Sequence, residues 1–299
     1  MNSHPFLSIA MPVFDCARTV DLAIWSILNQ TFEDWELIIT DDGSRDNTLE
    51  IVRSFNDPRI IAIRCEGNKG LPTRLNECVG IARGKYFARM DGDDIAYPDR
   101  LKKQVEYLEC HPQVDLLGAG CIVFRGDGEA YGLRFNPRLV SHLAVRGNAL
   151  SGPHLAHPTW MGRIEWFRRY PYRERFVGTE DRELLIRTRH ISEFAVLPEV
   201  LLGYREDRAA LRKVLGARFH LSRAYVEDAF VRGLLLYGLG GIIFQCLKSG
   251  LDVIAICTGL QHKLLRHRAS KLPDEVKLEW DAVWKSTLAR STDERTHGS

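Results

Sequence analysis

The first 110 residues alternate short apolar runs with segments of helical hydrophobic spacing, and this alternation restricts the fold more than any other feature. The runs are rich in Ile, Leu, Phe or Ala and show too little polar alternation for half-exposed strands. They are Leu7–Phe14, Trp35–Thr40, Arg59–Arg64 and Lys85–Met90. Between them, apolar residues recur three or four positions apart, as Val20, Ile24 and Ile27 do. The pattern predicts an α/β fold with a mainly parallel central sheet flanked by helices.

Polar clusters stand directly at the ends of three of these runs. They are Pro12–Asp15, Asp41–Ser44 and Asp91–Asp94. In open α/β sheets the ligand binds outside the carboxyl ends of the strands. We therefore expect the three clusters, although distant in sequence, to meet at one crevice.

The cluster Asp91-Gly92-Asp93-Asp94 places three carboxylates within four residues. This density is electrostatically unfavourable unless a cation or solvent neutralises it. Mg²⁺ and Mn²⁺ bind carboxylate oxygens together with water and phosphate oxygens. The cluster fits a metal clamp on a diphosphate; considered alone, it fits a solvated acidic turn about equally well.

Two other acidic pairs have ordinary structural explanations when each is considered alone. Asp41 and Asp42 precede a glycine and fit a turn, although carboxylates at a strand end also accept hydrogen bonds from a base or ribose. Glu180 and Asp181 stand where acids favour the first turn of a helix. The occurrence of both strand-end clusters at the expected ligand edge favours a binding site.

Three segments together resemble the nucleotide-sugar-binding half of family 2 glycosyltransferases: Leu7–Phe14, Trp35–Asp46 and Tyr86–Asp94. The resemblance continues through Pro98–Leu101 and Gln104 to Gly178–Asp181, and it covers about residues 6–205. It implies a GT-A fold and inverting transfer from a nucleoside-diphosphate sugar, with UDP favoured. It further implies a saccharide or lipid-linked acceptor and a part in bacterial surface polysaccharide synthesis.

The resemblance also assigns roles to the matched positions. Pro12, Val13 and Phe14 would line the nucleobase pocket, Asp42 would contact the base or ribose, Asp91 would face the ribose, Asp93 would bind Mn²⁺ or Mg²⁺, and Asp181 would be the general base. A base is required because a sugar hydroxyl is a weak nucleophile that must lose its proton.

Other candidates are weaker. Arg74 has the reach to contact a phosphate, and a solvated helix face explains it equally well. His157 lies where the family often shapes its acceptor pocket, and a loop histidine without a catalytic role is the alternative. Supporting candidates in the acidic groups are Asp41, Asp94 and Glu180.

The sequence departs from the family pattern at one position. Family members often place a histidine that serves as a metal ligand shortly after a Tyr-Arg pair, whereas Tyr204-Arg205 is followed by Glu206-Asp207. Asp207, His220 or water would then complete the metal shell.

Charge is distributed unevenly along a chain of net charge +2. Residues 205–271 carry 12 Lys and Arg against five acids, so this segment is +7 and the rest −5. The balance gives no global basic surface and predicts no nucleic-acid partner. Apolar and basic stretches over residues 233–271 fit a helix in a membrane interface, or helices packed on the catalytic domain or a second subunit. The longest uncharged stretch has 15 residues, too short to span a membrane.

We expect a catalytic domain over residues 1–208, with a nucleotide-sugar half at about 6–124 and an acceptor half at about 125–208. A helical segment over 209–285 and a disordered tail over 286–299 would follow. Seven cysteines without a Cys-x-x-Cys pair, and no signal-peptide pattern, predict a cytoplasmic protein that is peripheral on the inner membrane face if the basic segment docks.

Two other functions remain open from the sequence. A nucleotidyltransferase also uses carboxylates and Mg²⁺ on an α/β sheet, and a nucleotide-sugar-binding module without catalysis would keep the same motifs. A dehydrogenase is disfavoured because no Gly-x-Gly-x-x-Gly follows the first strand.

Overall fold

The structure, a computed structural model, describes residues 4–134, 155–206, 211–258 and 272–297. In these residues nine strands form one sheet in the order β3-β2-β1-β4-β8-β6-β9-β5, with β7 paired to β6. The strands are β1 (Leu7–Val13), β2 (Trp35–Asp41), β3 (Ile60–Arg64), β4 (Tyr86–Arg89), β5 (Ile95–Ala96), β6 (Leu116–Phe124), β7 (Ala130–Arg134), β8 (Met161–Arg163) and β9 (Phe194–Arg205).

Helices cover both faces of the sheet and continue beyond it. They are α1 (Val20–Leu28), α2 (Thr48–Ser54), α3 (Leu71–Ile81), α4 (Arg100–Cys110), α5 (Ile164–Arg169), α6 (Glu180–Thr188), α7 (Leu211–Val231), α8 (Leu235–Cys257) and α9 (Asp274–His297). Single 3-10 turns lie at His157–Thr159 and Glu174–Phe176.

The N-terminal half of the sheet is parallel. Strand β1 pairs in parallel with β2 and β4, and β2 pairs in parallel with β3. Beyond β4 the sheet is mixed, because β8 is antiparallel to both β4 and β6 whereas β6 and β9 are parallel. The predicted α/β fold with a central sheet between helices is confirmed, and the carboxyl ends of β1, β2 and β4 share one edge.

Two apolar layers hold the sheet, and residues of β1 alternate between them. Ile9 and Met11 pack with Ile24 of α1 on one face, whereas Ala10 packs with Leu75 of α3 on the other. All seven residues of β2 are buried. Burial on both faces explains why these strands read as unbroken apolar runs.

Helix α9 packs back onto the central sheet and continues to His297, through residues for which a disordered tail was expected. Trp280 is fully buried, packs on Phe124 at 4.7 Å between ring centroids, and donates its Nε1–H to the Gly128 carbonyl at 2.8 Å. Further along, Thr287 and Ser291 are buried. The Thr287 hydroxyl bonds to the Val283 carbonyl within the helix, so a polar residue is buried at little cost.

Helices α7 and α8 lie within the segment predicted to be helical. Among the residues that the structure describes, no helix combines the length and apolar character needed to cross a membrane. The predicted boundaries at 124 and 208 stay predictions, whereas the one at 285 falls inside α9.

Candidate functional site

The carboxyl ends of β1, β2 and β4 meet, as the strand-end clusters predicted. The Asp42 amide donates to the Val13 carbonyl at 2.8 Å. The Thr19 hydroxyl donates to the Gly92 carbonyl at 2.9 Å, and a Cβ on Gly92 would lie 2.8 Å from Val13 Cγ1. Only glycine therefore lets the acidic cluster approach the end of β1 this closely.

Two loops at this edge brace one another. The Asp15 amide donates to Ser44 Oγ at 3.0 Å, and the Arg45 amide donates to Asp15 Oδ1 at 2.7 Å. The bracing leaves Pro12 half-buried and the Phe14 ring 41% exposed. Pro12, Val13 and Phe14 lie at the carboxyl end of β1. Their contact with a nucleobase stays a prediction.

Asp42 fixes the loop that leads into α3. Its carboxylate accepts hydrogen bonds from the Lys69 and Gly70 amides at 2.9 and 2.8 Å and from Arg74 Nε at 2.6 Å. The side chain is buried, so these three donors compensate its desolvation. Asp41 closes its own turn, since Oδ1 accepts the Ser44 amide at 3.1 Å.

The structure differs from the expectation that Arg74 contacts a phosphate. The side chain is 2% exposed, and besides Asp42 it donates to the Glu77 carboxylate and to the Glu66 and Gly67 carbonyls. Each guanidinium nitrogen is thereby engaged. Arg74 holds the loop beside Asp42 in place, and its side chain has no free donor for a ligand.

The acidic cluster forms a compact oxygen-rich group. One carboxylate oxygen from each of Asp91, Asp93 and Asp94 lies within 4.8 Å of the others. Asp94 is fully buried; its Oδ1 accepts the Arg205 amide at 2.9 Å, whereas its Oδ2 has no partner among the described residues. A buried carboxylate oxygen without a partner is costly, and a bound cation or water would compensate it.

Burial and mutual repulsion raise the pKa values of two carboxyl groups in this cluster. Burial, and next the charge of Asp91, raise the pKa of Asp93 to about 6. Burial and both neighbouring carboxylates hold the pKa of Asp94 well above its usual value. Three hard oxygen ligands with excess negative charge fit Mg²⁺ or Mn²⁺.

The fourth ligand expected from the sequence is not found among the described residues. His220 lies in α7 with its ring 6.2 Å from that of Phe176, and no described histidine joins the carboxylate group. Asp207 lies outside the described residues. Arg205 instead approaches the group and donates Nε–H to the Asp93 carbonyl at 2.8 Å.

Glu180 and Asp181 begin α6, where they have different surroundings. Glu180 is buried and its Oε2 accepts the Gly178 amide at 2.6 Å. Asp181 is partly exposed. Burial, and then the charge of Asp181, raise the pKa of Glu180 to about 7. Burial also raises the pKa of Asp181, against the opposing effects of Arg182.

Sequence reasoning missed Arg89, which links the two acidic groups. It is buried at the end of β4 and donates Nη2–H to Asp91 Oδ1 at 2.6 Å. Its Nε and Nη1 have no partner among the described residues. Its charge lowers the pKa of Glu180 and of Asp181 against the effect of burial, so both acidic groups interact electrostatically with one guanidinium. A charged residue inside a buried strand is the signal that would have found it.

His157 supports this region. Its Nε2 lies 3.1 Å from the Tyr172 hydroxyl, and its ring packs edge-on against Trp160. Burial, and next the charge of Arg89, hold the pKa of His157 well below its usual value. The imidazole is therefore neutral and orients Tyr172.

Replacing Glu180 with Gln is expected to raise the free energy of unfolding more at pH 8 than at pH 5. The folded-state pKa of about 7 exceeds the usual 4.5, so between these values the folded protein binds more protons than the unfolded chain. Its free energy of unfolding therefore falls as the pH rises through this range, and Gln removes that loss. Thermal unfolding of both proteins at pH 5 and 8 measures the effect; an equal difference at the two values would contradict the raised pKa.

Comparisons with known proteins agree with this geometry. The sequence model of "Glycosyl transferase family 2" matches residues 8–171. EpsE of Bacillus subtilis, named as a glycosyltransferase, is 36% identical over 220 residues, which covers 71% of this chain and 77% of EpsE.

Solved structures show the same fold. The mannosyltransferase PcManGT from Pyrobaculum calidifontis, in complex with GDP-Man and Mn²⁺, has a TM-score of 0.61 at 14% identity and covers 97% of this chain and 88% of its own. TarS 1–349 of S. aureus, in complex with UDP-GlcNAc, has a TM-score of 0.58 at 17% identity, covering 78% and 71%. These likenesses confirm the predicted GT-A fold. With the family match over more than half of its length, the chain belongs to glycosyltransferase family 2.

Proposed function

We propose that the protein transfers a sugar, with inversion and with the help of Mn²⁺ or Mg²⁺, from a UDP-sugar to a hydroxyl of a saccharide or lipid-linked acceptor in surface polysaccharide synthesis. One observation carries the proposal. A metal-type carboxylate group and a partly exposed carboxylate at a helix start both interact electrostatically with the same buried guanidinium, that of Arg89.

The donor would lie along the shared edge of β1, β2 and β4. Phe14 offers an exposed ring for the base, and Asp42 holds the loop that closes this side of the crevice. Asp91 would face the ribose, and Asp93, supported by Asp94, would hold the divalent cation. Such a cation stabilises the charge that develops on the departing diphosphate.

Asp181 would accept the proton of the acceptor hydroxyl. As that proton moves to the carboxylate, the acceptor oxygen bonds to the anomeric carbon and the bond from that carbon to the diphosphate breaks. A single displacement of this kind inverts the anomeric carbon and needs one base. Glu180, bonded to Gly178, would keep the start of α6 in position.

UDP as the nucleotide is supported by the sequence resemblance and by the UDP-GlcNAc in the TarS complex, whereas PcManGT holds GDP-Man. A panel of UDP- and GDP-sugars, with Mn²⁺, Mg²⁺ or chelator and with free or lipid-linked acceptors, tests the proposal. We expect release of UDP only with metal, and a product of inverted configuration. Release of pyrophosphate would indicate a nucleotidyltransferase, and donor binding without turnover on any acceptor would favour a binding module.

A further inference from the structure

The hairpin of α7 and α8 has an unusual distribution of polar residues. Helix α7 packs on the catalytic domain through a cluster of Phe176, Ile186, Leu221 and Tyr225. Helix α8 lies against α7, since a Cβ on Gly241 would come within 2.7 Å of Tyr225. Helix α7 therefore lies between this part of the catalytic domain and α8.

The inward side of α8 is polar. Gln245 and Asp252 are 2% and 4% exposed, and both accept hydrogen bonds from Arg218 of α7 at 3.0–3.1 Å. Surface helices of globular proteins normally show the opposite arrangement, with apolar residues inside. The polar contacts hold α8 to α7 and leave its apolar residues facing outward.

The outward side of α8 is an apolar stripe. Six of its aliphatic residues recur every three or four positions and are between 53% and 85% exposed: Leu236, Leu239, Ile243, Leu247, Leu251 and Ile254. Every exposed side chain that the structure describes in α8 is uncharged. The stripe runs along most of α8, whose 23 residues extend for about 34 Å at 1.5 Å per residue. Contiguous apolar surface of this kind marks an interaction site.

We infer that the apolar stripe of α8 binds the interface of an anionic lipid membrane, with α8 lying in the membrane plane. Charge around the stripe supports this partner. Arg232 is exposed at the hairpin turn. The nearby acids are paired: Glu227 with Arg173, Arg175 and Arg223, and Asp252 with Arg218.

The sequence that follows α8 adds to the cationic character. Residues 259–271 contain four Lys and Arg and no acid. Apolar residues flanked by cations are the composition of interfacial helices, which enter the headgroup region without crossing it. A second copy of the chain carries the same cationic sequence after its α8, so an anionic membrane complements the charge of this region better. The inference does not depend on which donor the site uses.

Flotation of the full chain with vesicles tests the inference. The probes are vesicles of phosphatidylcholine with and without 30 mol% phosphatidylglycerol. We expect the wild-type chain to float with the anionic vesicles and at least tenfold less with the neutral ones. The variant Leu239→Glu/Leu247→Glu should lose at least tenfold of its vesicle-bound fraction, because two charges replace the apolar contacts.

A matched variant controls for added charge. Ile191→Glu/Leu278→Glu places the same two charges on side chains that are 63% and 69% exposed outside α8, and it should float like the wild type. Equal flotation of the α8 variant and the wild type, or no flotation of the wild type, would overturn the inference. A wild-type dimer that becomes monomeric in the α8 variant, without flotation of either, would assign the stripe to a second copy instead. Cooperative thermal unfolding of both variants at the wild-type temperature reports that the chain is folded.

Discussion

Asp181→Asn is expected to lower the rate of sugar transfer by about 10³-fold, within the range that a positioned general base contributes. Asparagine keeps the size of the side chain and its place at the start of α6, but it takes no proton from the acceptor hydroxyl. The loss corresponds to about 4 kcal/mol of transition-state stabilisation. Donor binding should be unchanged, because the donor contacts proposed here lie at the ends of β1, β2 and β4.

Single-turnover rates with saturating donor, together with calorimetric titration of UDP and Mn²⁺, separate the two effects. Asp127→Asn is a matched control: Asp127 lies in the exposed turn between β6 and β7, where it accepts the Glu129 amide at 3.0 Å. This variant should transfer sugar at the wild-type rate. Transfer by the Asp181 variant at more than a tenth of that rate would show that another group is the base.

The sequence predicted strands more completely than side-chain roles. Runs such as Trp35–Thr40 are buried on both faces, so their composition alone identifies them. The role of Arg74 was harder, because its partner Asp42 lies 32 residues away and saturates its donors only in the folded chain. Spacing along the sequence indicates that a basic side chain lies near a site. Only the fold shows which of its hydrogen-bond donors already have partners within the protein.

Polar composition at the C-terminus favours disorder, whereas the structure has a helix there. Thr287 and Ser291 make residues 286–297 look solvated, yet their hydroxyl groups find partners and the helix packs on α1. In α8 the apolar residues are evident from the sequence but the direction they face is not, since Gln245 and Asp252 are held by Arg218 on another helix. In both places tertiary contacts decide which face is buried.

Asp93→Asn is expected to remove metal-dependent donor binding and to stabilise the metal-free protein at pH 8. The side chain stays the same size, while one of three carboxylates within 4.8 Å loses its charge. Repulsion with Asp91 and Asp94 falls, which raises the free energy of unfolding. The same loss removes a hard anionic ligand, so we expect the affinity for Mn²⁺ with UDP to fall at least 100-fold. Opposite changes in stability and binding are typical of a functional site whose charges are unfavourable without their ligand.

Thermal unfolding with and without Mn²⁺ and UDP measures both changes. With UDP and Mn²⁺ at 100 times the dissociation constant, ligand binding should raise the free energy of unfolding of the wild type by about 2.7 kcal/mol. The same ligand concentration should change that of the variant little. Asp127→Asn serves again as the control and should keep the full ligand-induced gain. A variant that is less stable than the wild type without metal, and that still responds to Mn²⁺, would show that Asp93 is a structural residue of the turn. Since Asp94 Oδ2 is buried without a partner among the described residues, the group would then need another cation or water to compensate it.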